Sequence, residues 1–229
     1  MKPRIVAASC ALPGGRTLEL LSHDGRPLLH IHGEQVVGGL TAGGEGELAR
    51  LACAPLRAAR QPRLLLIGLG LGRILRGVLA ALPQRRLQVT VAEPLAELVA
   101  WHRAGLAGLD PQPLADPRVA WRPVPAGEAL RGLDSPPHAI LLHLDGGAVL
   151  AGGPAAVPTE DRGWLAAARD VLRPGGLLVV GAARAQRGLG RLLREAGFDV
   201  AETNVHGSAV ARRPRPQPLW LARKPERPD

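Results

Sequence analysis

The chain has 229 residues, 46% of them hydrophobic, and a formal net charge of +9. That length fits one sizeable α/β domain with a small appendage, and that composition excludes a disordered chain. The charge is almost all arginine, since Lys2 and Lys224 are the only lysines; the arginines are scattered without interleaved aromatics, so nucleic-acid binding is not expected.

The N-terminal fifteen residues hold a short apolar run, broken by Ser9 and Cys10 and ended by Pro13-Gly14-Gly15, so export is not expected. No apolar run reaches the roughly 20 residues that span a bilayer, so no membrane association is expected. Cys10 and Cys53 are too few for a disulfide framework and too far apart for a local metal clip, which points to a reduced, cytoplasmic chain without a structural metal.

Thr17 to Leu21 and Pro27 to His32 are strand-like runs around the turn His23-Asp24-Gly25-Arg26, and a second small hairpin is expected around Gly33, Val36 and Val37. Glu45 to Leu56 carries Leu48, Leu51, Ala52 and Leu56 at helical spacing. Residues 1–44 are therefore expected to be a small β-hairpin region and residues 45–229 a nucleotide-binding domain.

From Arg63 onward strands and helices alternate. Strands are expected at Leu64–Ile67, Leu87–Ala92, Val119–Val124, Ala139–Leu144 and Leu177–Val180, with helices at Arg73–Leu82, Leu95–Ala107, Trp164–Leu172 and Leu189–Ala196. Phe198–Glu202 and Leu219–Ala222 complete seven strands. The link Arg212-Arg213-Pro214-Arg215-Pro216-Gln217-Pro218 is too short and rigid to hold a crossover helix, so the last two strands should pair antiparallel. The expected fold is a doubly wound, mainly parallel, Rossmann-like sheet with an antiparallel C-terminal hairpin, the plan of transferases that use S-adenosylmethionine (SAM).

Four motifs fall at the carboxyl ends of these strands. Gly68-Leu69-Gly70-Leu71-Gly72 follows the first strand and opens a helix. Its glycines allow a sharp turn and a close ligand approach, and the helix terminus offers free N–H groups. Glu93 ends the next strand, where a carboxylate can accept from both hydroxyls of a ribose. In Gly127-Glu128-Ala129 the acid can accept from the exocyclic amine of adenine, with Ala129 beside the ring. In His143-Leu144-Asp145-Gly146-Gly147, Asp145 can bind an amine or orient a nucleophile and His143 can act as a base. Each has a structural alternative: a tight βα turn, a surface glutamate, an acid at a helix start, and a capping Asp beside a half-buried His. Leu172-Arg173-Pro174-Gly175-Gly176 reads as a structural turn. His30 and His32 fall on one face of a strand, where a solvated face is expected rather than a metal site.

The run Leu64 to Gly72 with Arg76 following resembles the spermidine synthase (polyamine aminopropyltransferase) form of the SAM fold, which has an apolar residue where Leu66 stands. Asp116-Pro117-Arg118-Val119 through Gly127-Glu128-Ala129, and Ala139 through Asp145, resemble the same family, and Gly33 through Leu51 more weakly resembles its lid and following helix. The resemblance implies SAM or decarboxylated SAM as group donor, a small-molecule amine acceptor and a homodimer. It implies Gly68, Gly70, Leu71, Gly72, Glu93, Glu128 and Ala129 as nucleotide-binding positions and puts His143 at the reaction centre; Asp145 lies nearby but is not the residue that matches a family acid, so its catalytic role is expected from its position at the strand end alone. Three positions depart from the family. Leu71, His143 and Gly146 stand where it carries acids, and its site tyrosines have no counterpart in a chain without tyrosine. The sequence therefore points to a spermidine synthase-like transferase with a changed acceptor. A SAM-dependent methyltransferase and a non-catalytic nucleotide-binding or scaffold protein are the alternatives.

Overall fold

Four short antiparallel strands open the chain: β1 (Ile5–Leu12), β2 (Arg16–His23), β3 (Arg26–Ile31) and β4 (Glu34–Val37). They are followed by helix α1 (Ala42–Cys53) and the strand β5 (Arg63–Ile67). The computed structural model describes residues 4–37, 42–144, 158–182, 186–206 and 216–226. Beyond β5 come α2 (Arg73–Ala81), β6 (Gln88–Ala92), α3 (Ala96–Arg103), α4 (Gln112–Ala115), β7 (Val119–Arg122), β8 (Ala139–His143), α5 (Arg162–Val171), β9 (Leu177–Gly181), α6 (Leu189–Glu195), β10 (Asp199–His206) and β11 (Pro216–Arg223). The last seven strands form one sheet in the order β10-β11-β9-β8-β5-β6-β7.

β5 is central because nearly every residue in it is apolar and both of its faces are covered. Leu64 and Leu66 point into one core with Leu75 and Val78 of α2 and Leu48 of α1, while Leu65 and Ile67 point into the other with Trp164 and Leu165 of α5. That alternation is the period-two rule of a strand buried on both sides. β6 and β8 flank β5 in parallel register, Leu66 opposite Val91 and opposite Leu141. The chain thus leaves β5 first to one side and later to the other, and the crevice of such a sheet lies at the carboxyl ends beside this switch.

The expected antiparallel ending is present. β10 and β11 pair from Asp199 opposite Arg223 to His206 opposite Pro216, and β11 runs antiparallel to β9. Pairing with β9 begins at Leu219, just past Pro218, which has no N–H to donate but whose carbonyl accepts from the Ala182 N–H at 3.1 Å.

Several boundaries differ from expectation for local reasons. The N-terminal apolar run forms β1, paired with β2, making the expected hairpins a four-stranded sheet. α3 stops at Arg103 rather than Ala107, because Gly105, Ala107 and Gly108 all take positive φ. β7 ends at Arg122, ahead of Pro123, which has no N–H for the ladder. His32 lies beyond β3 in a turn at φ 49° and is exposed, whereas His30 is buried in the strand, so the two do not share a solvated face. Among the described residues no helix is long and apolar enough to cross a membrane, and no group of three His, Cys, Asp or Glu side chains is placed to hold a metal.

Candidate functional site

The loop Gly68–Gly72 leaves β5 and enters α2. Gly68, Gly70 and Gly72 take φ of 85°, 53° and 73°, a left-handed backbone that side chains with a Cβ rarely adopt. Gly72 is also the N-cap of α2 and supplies no capping side chain. The loop is tied to the neighbouring strand by the bond from the Gly68 N–H to the Ala92 carbonyl, 2.8 Å.

Glu93 follows β6 directly and is fully buried. Its carboxylate spans the crevice between two loops: Oε2 accepts from the Leu69 N–H at 3.0 Å and Oε1 from the Leu95 N–H at 3.0 Å. Each oxygen keeps a second lone pair. Burial pushes the carboxyl up to about 7, and these two backbone donors only partly oppose the rise. The Glu93 carbonyl in turn accepts from the Trp121 indole at 2.7 Å, which fixes the backbone under the acid.

His102 of α3 has no recognisable signal in the sequence, yet it braces the glycine loop. Its Nε2 donates to the Gly70 carbonyl at 2.9 Å, and a carbonyl can only accept, so the proton sits on Nε2. A Cβ on Gly72 would lie 2.9 Å from its Cε1, so the loop and the imidazole are packed against each other. Burial lowers the pKa of this histidine, against the pull of the Gly70 carbonyl and of Asp110.

Leu71 packs with the N-terminal sheet. Its side chain is buried with Leu12, Leu18, Leu20 and Leu29 of that sheet and with Leu98 and Trp101 of α3. The glycine loop is thereby clamped on one side by an apolar seam, at the position where the resembled family carries an acid.

Gly127, Glu128 and Ala129 lie in a turn rather than a helix. Arg122 holds it, donating to the carbonyls of Ala129 at 3.2 Å and Arg131 at 2.7 Å, and the Trp164 indole donates to the Ala126 carbonyl at 3.0 Å. Ala129 is buried in the core and Glu128 is exposed. His143 ends β8, buried, opposite Gly181 of β9, and its Nδ1 has no hydrogen-bond partner among the described residues. Asp145, Gly146 and Gly147 lie outside the described residues. Glu45 at the start of α1 is buried and paired with Arg73 at the start of α2, 3.2 Å apart, a contact between helices that no local sequence pattern marks.

The structure therefore brings Gly68–Gly72 and Glu93 into direct contact at the carboxyl edge of the sheet. The 126–131 turn and His143 follow neighbouring strands at the same edge.

Comparison with known proteins defines the fold. No family model matches the chain. Over 94 residues it is 34% identical to the release factor glutamine methyltransferase of Deinococcus radiodurans, a match to 37% of this chain and only about a third (34%) of that protein's length. Solved structures align more broadly. The spermidine synthase of Thermotoga maritima superposes with a TM-score of 0.72 at 14% identity, over 97% of this chain and 74% of its own. The precorrin-6y C5,15-methyltransferase of Geobacter metallireducens superposes with a TM-score of 0.57 at 16% identity, over 77% of this chain and 87% of its own. The architecture is the Rossmann-like fold of class I SAM-dependent transferases. The 97% coverage leaves too few residues outside the alignment to omit the N-terminal sheet, so the likeness to the Thermotoga structure extends beyond the seven-stranded sheet.

Proposed function

We propose that the chain is a SAM-dependent group transferase of spermidine synthase-like architecture, binding SAM or decarboxylated SAM and acting on an acceptor other than the family's usual diamine. The observation that carries the reading is the Leu69–Glu93 hydrogen bond. It holds a carboxylate with free lone pairs against a left-handed glycine loop, at the switch point of a doubly wound sheet. Ribose hydroxyls would complete the coordination of Glu93, and the start of α2 would face the polar part of the nucleoside. Glu128 and Ala129 are assigned to the adenine, and His143 and Asp145 to the acceptor side. His143, with Nδ1 unpaired, would take the proton released when a nucleophile attacks the carbon beside the sulfonium.

The N-terminal sheet supports the spermidine synthase-like branch, and its edge strand exposes Ile5 and Val6, which favours a homodimer. Cys10 and Cys53 are free thiols, as suits a cytoplasmic enzyme. A methyltransferase is the second reading, favoured by Leu71. An apolar side chain packed into a seam offers nothing to a primary amine of the donor.

Calorimetry of the full chain with SAM, decarboxylated SAM and methylthioadenosine tests both. Binding of all three with decarboxylated SAM tightest supports aminopropyl transfer; SAM tightest by tenfold or more supports methyl transfer. No binding of any at millimolar concentration refutes the nucleotide site.

A further inference from the structure

The arginines that look scattered in the sequence gather at the other end of the sheet. A surface cleft of about 610 Å³ opens at the amino ends of the parallel strands, lined by Arg60, Arg63, Arg86, Arg173, His138 and Gln61 together with Ala59 and Pro136. The four arginines come from three chain segments: Arg60 and Arg63 ahead of and within β5, Arg86 ahead of β6 and Arg173 ahead of β9. No carboxylate lines the cleft, and none of the four makes an ion pair among the described residues. Arg118 shows the contrast. It lies on the adjoining surface and is neutralised by Asp116 at 2.7 Å.

His138 is the buried wall of this cleft. Its Nδ1 accepts the Arg63 backbone N–H at 3.2 Å, so its Nε2 carries the proton and is a donor. Burial, and after it the neighbouring Arg173 and Arg63, hold its pKa below the ordinary value. Such a concave site concentrates anions, and planar guanidinium forks match phosphate oxygens two at a time. The volume suits a small molecule.

We propose that this cleft is a second binding site, separate from the nucleotide crevice, for a small polyanion of the diphosphate class. Four cations around one volume match a ligand carrying three or four negative charges close together. The site lies at the amino edge of the sheet and Gly68–Gly72 at the carboxyl edge, so its occupancy does not depend on the transferase reading.

The test uses the intact chain with inorganic pyrophosphate as probe. Calorimetry and the imidazole ring signals of His138 follow binding, with orthophosphate, chloride at matched ionic strength and a 5′-phosphorylated RNA ten-mer as comparison arms. Expected are saturable pyrophosphate binding at least tenfold tighter than orthophosphate, a shift of the His138 signals at the same midpoint, and a loss of at least tenfold in Arg63→Gln/Arg173→Gln. Arg63→Lys/Arg173→Lys, which keeps the charge without the forks, should lose less. Arg191→Gln on α6 should lose nothing. The wild-type His138 titration stands alone if the double variants fail to fold. Equal weakening by Arg191→Gln, or unmoved His138 signals, would overturn the site. An RNA ten-mer that displaces pyrophosphate with a steep salt dependence would overturn the small-ligand assignment in favour of nucleic acid.

Discussion

His102 donates from Nε2 to the Gly70 carbonyl across 2.9 Å, tying α3 to the glycine loop from a position 32 residues away. The bond is buried, so removing the imidazole leaves a carbonyl without its donor and a cavity beside Gly72. His102→Ala should cost about 2 kcal/mol in urea unfolding and weaken adenosyl nucleotide binding about tenfold. The pH dependence has a definite sign. Because the folded-state pKa of His102 is lowered, its contribution is complete above the unfolded value of 6.5 and is lost as pH falls through the folded value. The wild type should lose this part of its stability on acidification, and His102→Ala should not.

Glu93 works in the opposite direction. Its carboxyl is raised from 4.5 to about 7, so the native state holds a proton that the unfolded chain has released. Its contribution to stability is complete below 4.5 and declines as pH rises through about 7. The difference in unfolding free energy between wild type and Glu93→Gln, followed from pH 4 to 8, isolates this slope.

Nucleotide binding should couple to the same group. Ribose hydroxyls donating to the charged carboxylate would lower its pKa in the complex. Affinity should therefore climb as pH rises to about 7 and level off above it, with protons released on binding at pH 6. Calorimetry in two buffers of different ionisation enthalpy measures that release. A flat affinity between pH 5.5 and 8 would remove Glu93 from the ribose contact.

The glycine loop and Glu93 were legible as a structural unit because their signals are local. An apolar run, three alternating glycines and a carboxylate one strand later define a βαβ unit within thirty residues. The proline-rich link before Pro218 likewise announced the antiparallel ending. What could not be read depends on partners distant in sequence. His102 reaches Gly70 only after α3 folds back. The role of Leu71 depends on Leu12, Leu18, Leu20 and Leu29, from a sheet whose first strand is mostly exposed and so carries a weak pattern. The basic cleft exists only because parallel strands align their amino ends.

His143 faces Gly181 across the β8–β9 pair, and a Cβ on Gly181 would approach the His143 Cδ2 at 3.0 Å and the Leu48 Cδ1 at 2.6 Å. His143→Ala should abolish turnover once an acceptor is known and change nucleotide affinity less than twofold. Gly181→Ala should displace the imidazole and Leu48 together, costing about 1–3 kcal/mol of stability with a parallel fall in kcat. Unaltered turnover in His143→Ala would exclude it as the base.

Leu71 tests how far the glycine loop depends on the apolar seam. An acid at this position would confer the donor-amine contact of the resembled family only if its carboxylate could reach open crevice. Here the side chain is buried among Leu12, Leu18, Leu20, Leu29, Leu98 and Trp101. Leu71→Ala should cost about 2–5 kcal/mol through the cavity it leaves. Leu71→Asp should cost at least as much at pH 7, with part regained at pH 4, where the carboxyl takes up its proton and sheds the desolvated charge. Denaturant titrations of both variants at the two pH values measure this, and calorimetry with decarboxylated SAM reads the functional consequence. A Leu71→Asp chain with wild-type stability and new affinity for decarboxylated SAM would show that the loop turns outward and that the apolar seam is dispensable.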